Sequence, residues 1–186
     1  AALRAVHSSA VVHPSDANQV PPLVEQMADR AGISYMRTLR GKTTVRTRPE
    51  EDIRIGGSRL VRSSDEDDFT VVACGVTVEE AEQAAGQLEA EGVQVRVIDC
   101  YSIKPIDSDA LGAAARETKA IVTVEDHWSE GGLGEAVMSA LADAPSRPPT
   151  LKLAVRDMPT SGTPAELLHA AGIDAEAIGE AVRSLS

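Results

Sequence analysis

The chain has 186 residues, room for one large domain or for a fragment plus a domain, and 42% of them are hydrophobic, enough for a packed core. Aromatic residues make up only 2%, namely Tyr35, Phe69, Tyr101 and Trp128, which leaves a core of Ala, Val, Leu and Ile and excludes a stacking surface for single-stranded nucleic acid. The net charge of -11 is unevenly divided, with ten Lys/Arg against six Asp/Glu in residues 1–62 and eight against twenty-three in the remainder, so the second part repels nucleic acid and anionic membranes while the first can receive an anion.

In chain order, residues 10–13 read as a short strand ending at Pro14. Asp16 reads as a helix N-cap with Gln19 as its reciprocal partner. The helix runs to about residue 31 and stops at Gly32. Pro21 and Pro22 are tolerated only in a first turn, so regular helix can begin as late as Val20. Residues 33–39 form the next strand. This β-α-β segment is too short to stand alone and reads as the tail of an α/β domain cut off upstream. The missing initiator Met and the helix-like opening carry the same expectation. Residues 41–57, with Gly41, Pro49, Gly56 and Gly57, read as an interdomain linker, and residues 58–62 as an edge strand.

From Phe69 onward the pattern is regular. Strands are expected over residues 69–74, 93–98, 120–124 and 150–155. Thr77 and Glu80 have capping-box spacing for a helix to Glu91, with Val78, Ala81 and Leu88 facing inward. Asp107 caps a helix to about residue 118, and another helix covers about 133–142. Thr163, Pro164 and Glu166 open a further one, and Asp174 caps the last, to about residue 185. Continuous apolar strands alternating with amphipathic helices define an α/β fold, with a mostly parallel sheet covered on both faces.

Cys74 and Cys100 follow apolar runs without metal-ligand spacing and read as buried free thiols, in keeping with a cytoplasmic protein. No run of about 18 apolar residues exists to span a membrane, and the N-terminus lacks a signal-peptide pattern. Gly75 stands without the further glycines of a dinucleotide fingerprint, which excludes NAD on that pattern. The turn from Glu125 through Gly131, Gly132 and Gly134 could present free N–H groups to a phosphate. Glu125, Asp126, Glu130 and Glu135 around it oppose that, so the glycines are expected to serve close packing instead. His127 can be an acid–base group or a packing residue. Arg37 and Arg40 close the strand that begins at Ile33, and Lys42 follows. They fit either a phosphate or carboxylate ligand or a salt-bridged surface.

Three stretches together resemble transketolase. The first is Val12-His13-Pro14-Ser15-Asp16, leading to Tyr35-Met36-Arg37-Thr38-Leu39-Arg40. The second runs from Val95 to Asp107 and contains Ser102-Ile103-Lys104-Pro105-Ile106-Asp107. The third is Thr123-Val124-Glu125-Asp126-His127 through Gly134-Glu135-Ala136-Val137, with the closing Ser161-Gly162-Thr163-Pro164-Ala165-Glu166-Leu167-Leu168. Their order matches across almost the whole chain, and the flavour is that of the transketolase type that includes the animal enzymes. The resemblance implies the end of a pyrimidine-binding domain (1–40), a linker (41–57) and a C-terminal domain (58–186) with a mostly parallel five-stranded sheet. It also implies transfer of a two-carbon ketol unit between sugar phosphates, with thiamine diphosphate and Mg2+ or Ca2+, in a homodimer. In the family the second arginine after this strand contacts the substrate phosphate, and Arg40 occupies that place. Arg37 also matches a family position.

The departures are as informative. The chain has no Gly-Asp-Gly metal–diphosphate motif. It also lacks the glutamate that activates the cofactor, the aromatic residues that pack on it and the substrate histidines. No catalytic, cofactor or metal residue is therefore expected here, and the chain is expected to be inactive alone, as a truncated or proteolysed piece rather than a split subunit. The alternatives are a deoxyxylulose-phosphate synthase, the β subunit of a 2-oxo acid dehydrogenase, or a stand-alone assembly module. The Glu-Asp-His wording and the Ser-Gly-Thr-Pro-Ala-Glu-Leu ending favour transketolase.

Overall fold

The computed structural model describes residues 1–186. A short helix α1 (Ala2–Ala5) leads into β1 (Ala10–Val12). Asp16 caps a 3-10 turn (Ala17–Gln19), accepting from the Asn18 N–H at 2.9 Å. Helix α2 (Val20–Asp29) then starts with both prolines in its first turn, where no intrahelical donor is lost. It buries Leu23 and packs Met27 beside it. Strand β2 (Ser34–Met36) returns parallel to β1, completing the expected β-α-β segment but ending three residues short of the expected residue 39, so that Arg37 and Arg40 lie beyond the strand. The reciprocal partnership expected of Gln19 does not form. Its carbonyl accepts from the Ser15 N–H and its amide donates to buried Asp99, a longer-range demand that wins over the local cap.

Residues 41–57 contain no helix or strand, yet they are fastened down. The Asp16 carboxylate accepts from the Arg46 and Thr47 N–H groups and the Thr47 hydroxyl. Ile53 is buried beside Val12, Leu23 and Tyr101.

The larger sheet has five strands: β3 (Arg59–Arg62), β4 (Phe69–Ala73), β5 (Val95–Asp99), β7 (Ala120–Trp128) and β8 (Thr150–Val155), in the order β3-β5-β4-β7-β8. Four of them are parallel and β3 is an antiparallel edge, so the sheet is mixed rather than purely parallel. Successive side chains alternate between faces. Val71, Ala73, Val122 and Val124 meet helices α3 (Thr77–Ala90) and α7 (Ala175–Arg183) on one face. Val72, Ile98 and Ile121 meet α4 (Ser108–Glu117) and α5 (Leu133–Ala140) on the other. Helix α6 (Pro164–Ala170) opens with the expected capping box between Thr163 and Glu166.

A three-residue strand, β6 (Ser102–Lys104), lies outside the sequence expectation because it is too short to show a period and is followed by Pro105. It pairs antiparallel with β1, giving a three-stranded sheet β2-β1-β6 that mixes the first and second parts of the chain. The capping box expected of Thr77 and Glu80 does not form. The Thr77 hydroxyl is buried, 2.9 Å from the carbonyls of Cys74 and Val124. Glu80 accepts from the Ala175 N–H at the start of α7, so it serves a different helix.

Candidate functional site

The parallel strands bring Gly75 (after β4), Asp126 (in β7) and Val155 (ending β8) to their carboxyl ends, the edge where open α/β sheets hold ligands. A groove of about 660 Å³ opens there. One wall is apolar, from Val78 in α3 and Leu167 and Leu168 in α6. The other is the segment after β2, which contributes Arg37, Arg40, Lys42 and Arg46.

These cations have different fates. Arg37 grips Asp126 in a two-pronged pair at 2.9 and 2.7 Å and also donates to the Asp126 carbonyl at 3.0 Å. Arg46 is held by Glu82 and Glu79. Arg40 and Lys42 enter no ion pair within the chain, and Arg40 is exposed. The structure thus assigns the salt-bridge reading to Arg37 and leaves Arg40 with its donors unclaimed.

Behind the groove, His13 is buried with Nε2 unpartnered and Nδ1 3.9 Å from Asp126. Its ring lies against Gly75, where a β-carbon would collide with it. Burial first, then the Arg37 charge, lowers its pKa to about 3, so the ring is neutral. Burial also raises the pKa of Asp126, against the pull of Arg37.

Strand β7 continues through Trp128, four residues past the expected end, with its register against β8 shifting between Glu125 and Trp128. The turn glycines do serve close packing, but the electrostatics differ from expectation. The Glu125 carboxylate is buried and accepts from the Leu133 N–H at 2.6 Å and the Gly134 N–H at 2.9 Å. The N-terminus of α5 therefore holds an anion of the chain's own, and acidity here is the ligand rather than the obstacle. Burial raises the Glu125 pKa, opposed by these two amides. His127 is half-buried, with Nδ1 2.8 Å from the Trp128 carbonyl. It stands 3.9 Å from Glu125 with no nucleophile beside it.

Sequence reasoning missed His13 as a buried residue, and Asp99, which is fully buried and accepts from Ser15 and Gln19 at 2.6 Å each. Burial first raises the Asp99 pKa, to about 6. Both cysteines are buried free thiols whose pKa values burial pushes up, which removes them as nucleophiles.

The residues present do not fit thiamine diphosphate with a divalent metal. Asp16, Asp99, Glu125 and Asp126 are each turned onto donors of the chain itself. The three-ligand cluster His169, Asp174 and Glu176 is largely exposed, and Asp174 already caps α7 and accepts from His169. No aromatic ring lines the groove.

Fold and site define a doubly wound α/β protein with a cation-lined groove at the carboxyl ends of its parallel strands. Comparison with known proteins places it. The family profile described as "Transketolase, C-terminal domain" matches residues 58–178. Human transketolase is 44% identical over all 186 residues, and human transketolase-like protein 2 is 38% identical over 98% of the chain. A solved structure described as a split gene transketolase, inactive beta4 tetramer, is 34% identical with a TM-score of 0.92. The match covers 98% of this chain and 59% of that one. Transketolase from Campylobacter jejuni, 18% identical with a TM-score of 0.75 over 98% of this chain and 27% of that one, shares the fold. The chain belongs to the transketolase family. It spans 30% of the length of the human transketolase it matches. No helix is long and apolar enough to cross a membrane.

Proposed function

We propose that these residues are the C-terminal part of a transketolase that moves a two-carbon ketol unit from a ketose phosphate to an aldose phosphate. In this reading thiamine diphosphate and its metal are held by residues upstream, the complete protein works as a homodimer, and the chain alone is inert. Residues 1–40 close the pyrimidine-binding domain, 41–57 link, and 58–186 form the C-terminal domain, a division supported by the start of the family match at residue 58. This chain's own contribution to substrate is Arg40, as the phosphate ligand.

The observation that carries the assignment is the contrast between two neighbouring arginines. Arg37 is committed to Asp126, whereas Arg40, exposed on the rim of the groove, has no carboxylate partner. A guanidinium with free forked donors matches the oxygens of a phosphate monoester.

The test compares substrates. A full-length enzyme carrying this chain should turn over xylulose phosphate with ribose phosphate and should not use pyruvate. Turnover of pyruvate instead would move the chain to another thiamine-dependent family. Calorimetric titration of the 186 residues with thiamine diphosphate and magnesium should give no binding heat, and heat of micromolar affinity would contradict the division of labour.

A further inference from the structure

Arg40 sits near the middle of a strap. Residues 38–43 make no hydrogen bond to any other part of the chain. Its hydrogen bonds therefore lie only at its ends, with Leu39 and Thr43 between them half-buried along the groove. On the near side are the Arg37 N–H, which donates to the Val12 carbonyl at 2.9 Å, and the Arg37 guanidinium on Asp126. On the far side, Thr44 donates to Glu79, Arg46 donates to Glu82, and Asp16 accepts from the Arg46 N–H. Asp126, Glu79 and Glu82 all belong to the larger α/β unit, in β7 and α3.

The near anchor is the better defined one. Asp126 lies in the irregular stretch of β7, held between the Glu125–Ala154 and Trp128–Val155 pairings to β8. It is backed by His13, itself pinned against Gly75. Two prongs and a carbonyl contact fix the guanidinium plane, which a single contact would not. Arg40 is only three residues beyond this anchor, at most about 11 Å of extended chain.

We propose that the Arg37–Asp126 pair is a positioning device, through which the C-terminal unit holds Arg40 in place for the phosphate of the sugar substrate. This rests on the reading of Arg40 given above. Neither Arg37 nor Asp126 touches substrate in this account. Loss of the pair lets the strap drift, and the cost falls on phosphorylated substrates because Arg40 is the group displaced. It also gives the C-terminal unit a part in substrate selection.

The test uses the full-length enzyme and a matched pair of acceptors, ribose phosphate and ribose. The quantity read is the ratio of their kcat/KM values, with Asp126→Asn, Arg37→Lys, Arg40→Ala and the Asp126→Asn/Arg40→Ala double variant. Asp126→Asn should lower the preference for ribose phosphate roughly ten-fold, with Arg37→Lys moving it the same way. In the Arg40→Ala background, Asp126→Asn should lower the preference no further, because the pair acts through Arg40. An equal fall for both acceptors in Asp126→Asn, or a full additional loss of preference in the double variant, overturns the proposal. If Asp126→Asn fails to fold, Arg37→Lys carries the same test against Arg40→Ala. A preference lost in Arg40→Ala but untouched in Asp126→Asn and Arg37→Lys sinks the positioning role alone. A preference untouched in Arg40→Ala sinks the phosphate reading and the positioning role with it.

Discussion

The carboxylate of Glu125 stands where a side chain on Gly132 would have to go. A β-carbon built on Gly132 falls inside the contact distance of both Glu125 oxygens, while those oxygens accept from the Leu133 and Gly134 N–H groups. The glycine keeps the space open, and the buried carboxylate satisfies two amides that a helix start leaves unpaired. A phosphate is what such a helix start often receives, and here the position is already filled.

Glu125→Ala should therefore cost more than a surface change. It strands two amides in a buried site, at about 1–3 kcal/mol for the unsatisfied groups. Gly132→Ala should destabilise comparably by displacing the same carboxylate. Urea denaturation read by far-ultraviolet circular dichroism checks both. Variants within about 0.5 kcal/mol of wild type, the range of ordinary surface substitutions, would contradict the account.

Gly75→Ala places a methyl group into the buried His13 ring and into a left-handed conformation, φ 59°. Strain and overpacking together should cost about 2–4 kcal/mol. The thermal midpoint reads this, and an unchanged midpoint would show that His13 moves freely.

Two buried groups bias stability with pH in opposite senses. The folded-state pKa of His13 is lowered to about 3, so between that value and its unfolded pKa of about 6.5 the unfolded chain binds the extra proton. Its contribution is complete above the unfolded value and is lost as pH falls toward 3, with a slope approaching about 1.4 kcal/mol per pH unit. Asp99, raised to about 6, does the reverse, and stability is lost as pH rises from about 4 through 6. Subtracting the pH–stability curve of His13→Asn from that of wild type should expose the first slope, and Asp99→Asn the second. A flat difference curve for either would show that the group is not buried in solution.

Asp16→Ala removes a carboxylate that accepts from Asn18, Arg46 and both the N–H and hydroxyl of Thr47. Burial acts to raise its pKa, but these bonds outweigh it and lower the pKa. Its stabilisation is thus present above the ordinary carboxylate pKa and lost as pH falls through the lowered one. The substitution should cost about 1.5–3 kcal/mol at neutral pH and expose residues 44–47 to hydrogen exchange. Unchanged protection of the Thr47 amide would contradict this.

The sequence exposes the features that depend on short range. Phe69–Ala73 and Ala120–Val124 read as buried strands because every residue in them is apolar or a small threonine, and all are buried. Asp107, Thr163 and Asp174 cap as their spacing predicts. Local rules fail where a distant group makes the stronger demand. Thr77 turns to the Val124 carbonyl and Glu80 to Ala175 across the fold. The candidate site follows the same pattern. Arg37 and Arg40 were visible as a pair of cations, but only the fold brings Asp126, 89 positions away, to one of them and leaves the other free. His13 and Gly75 belonged to separate recognisable words, and nothing local to either said that they touch.

The proposed contact between the Arg40 guanidinium and the substrate phosphate is read in the apparent affinity for ribose phosphate of the full-length enzyme bearing Arg40→Ala. Removing a charge-assisted contact of about 1.5–3 kcal/mol should weaken it roughly ten- to a hundred-fold. An affinity equal to that of the unaltered enzyme would contradict the claim.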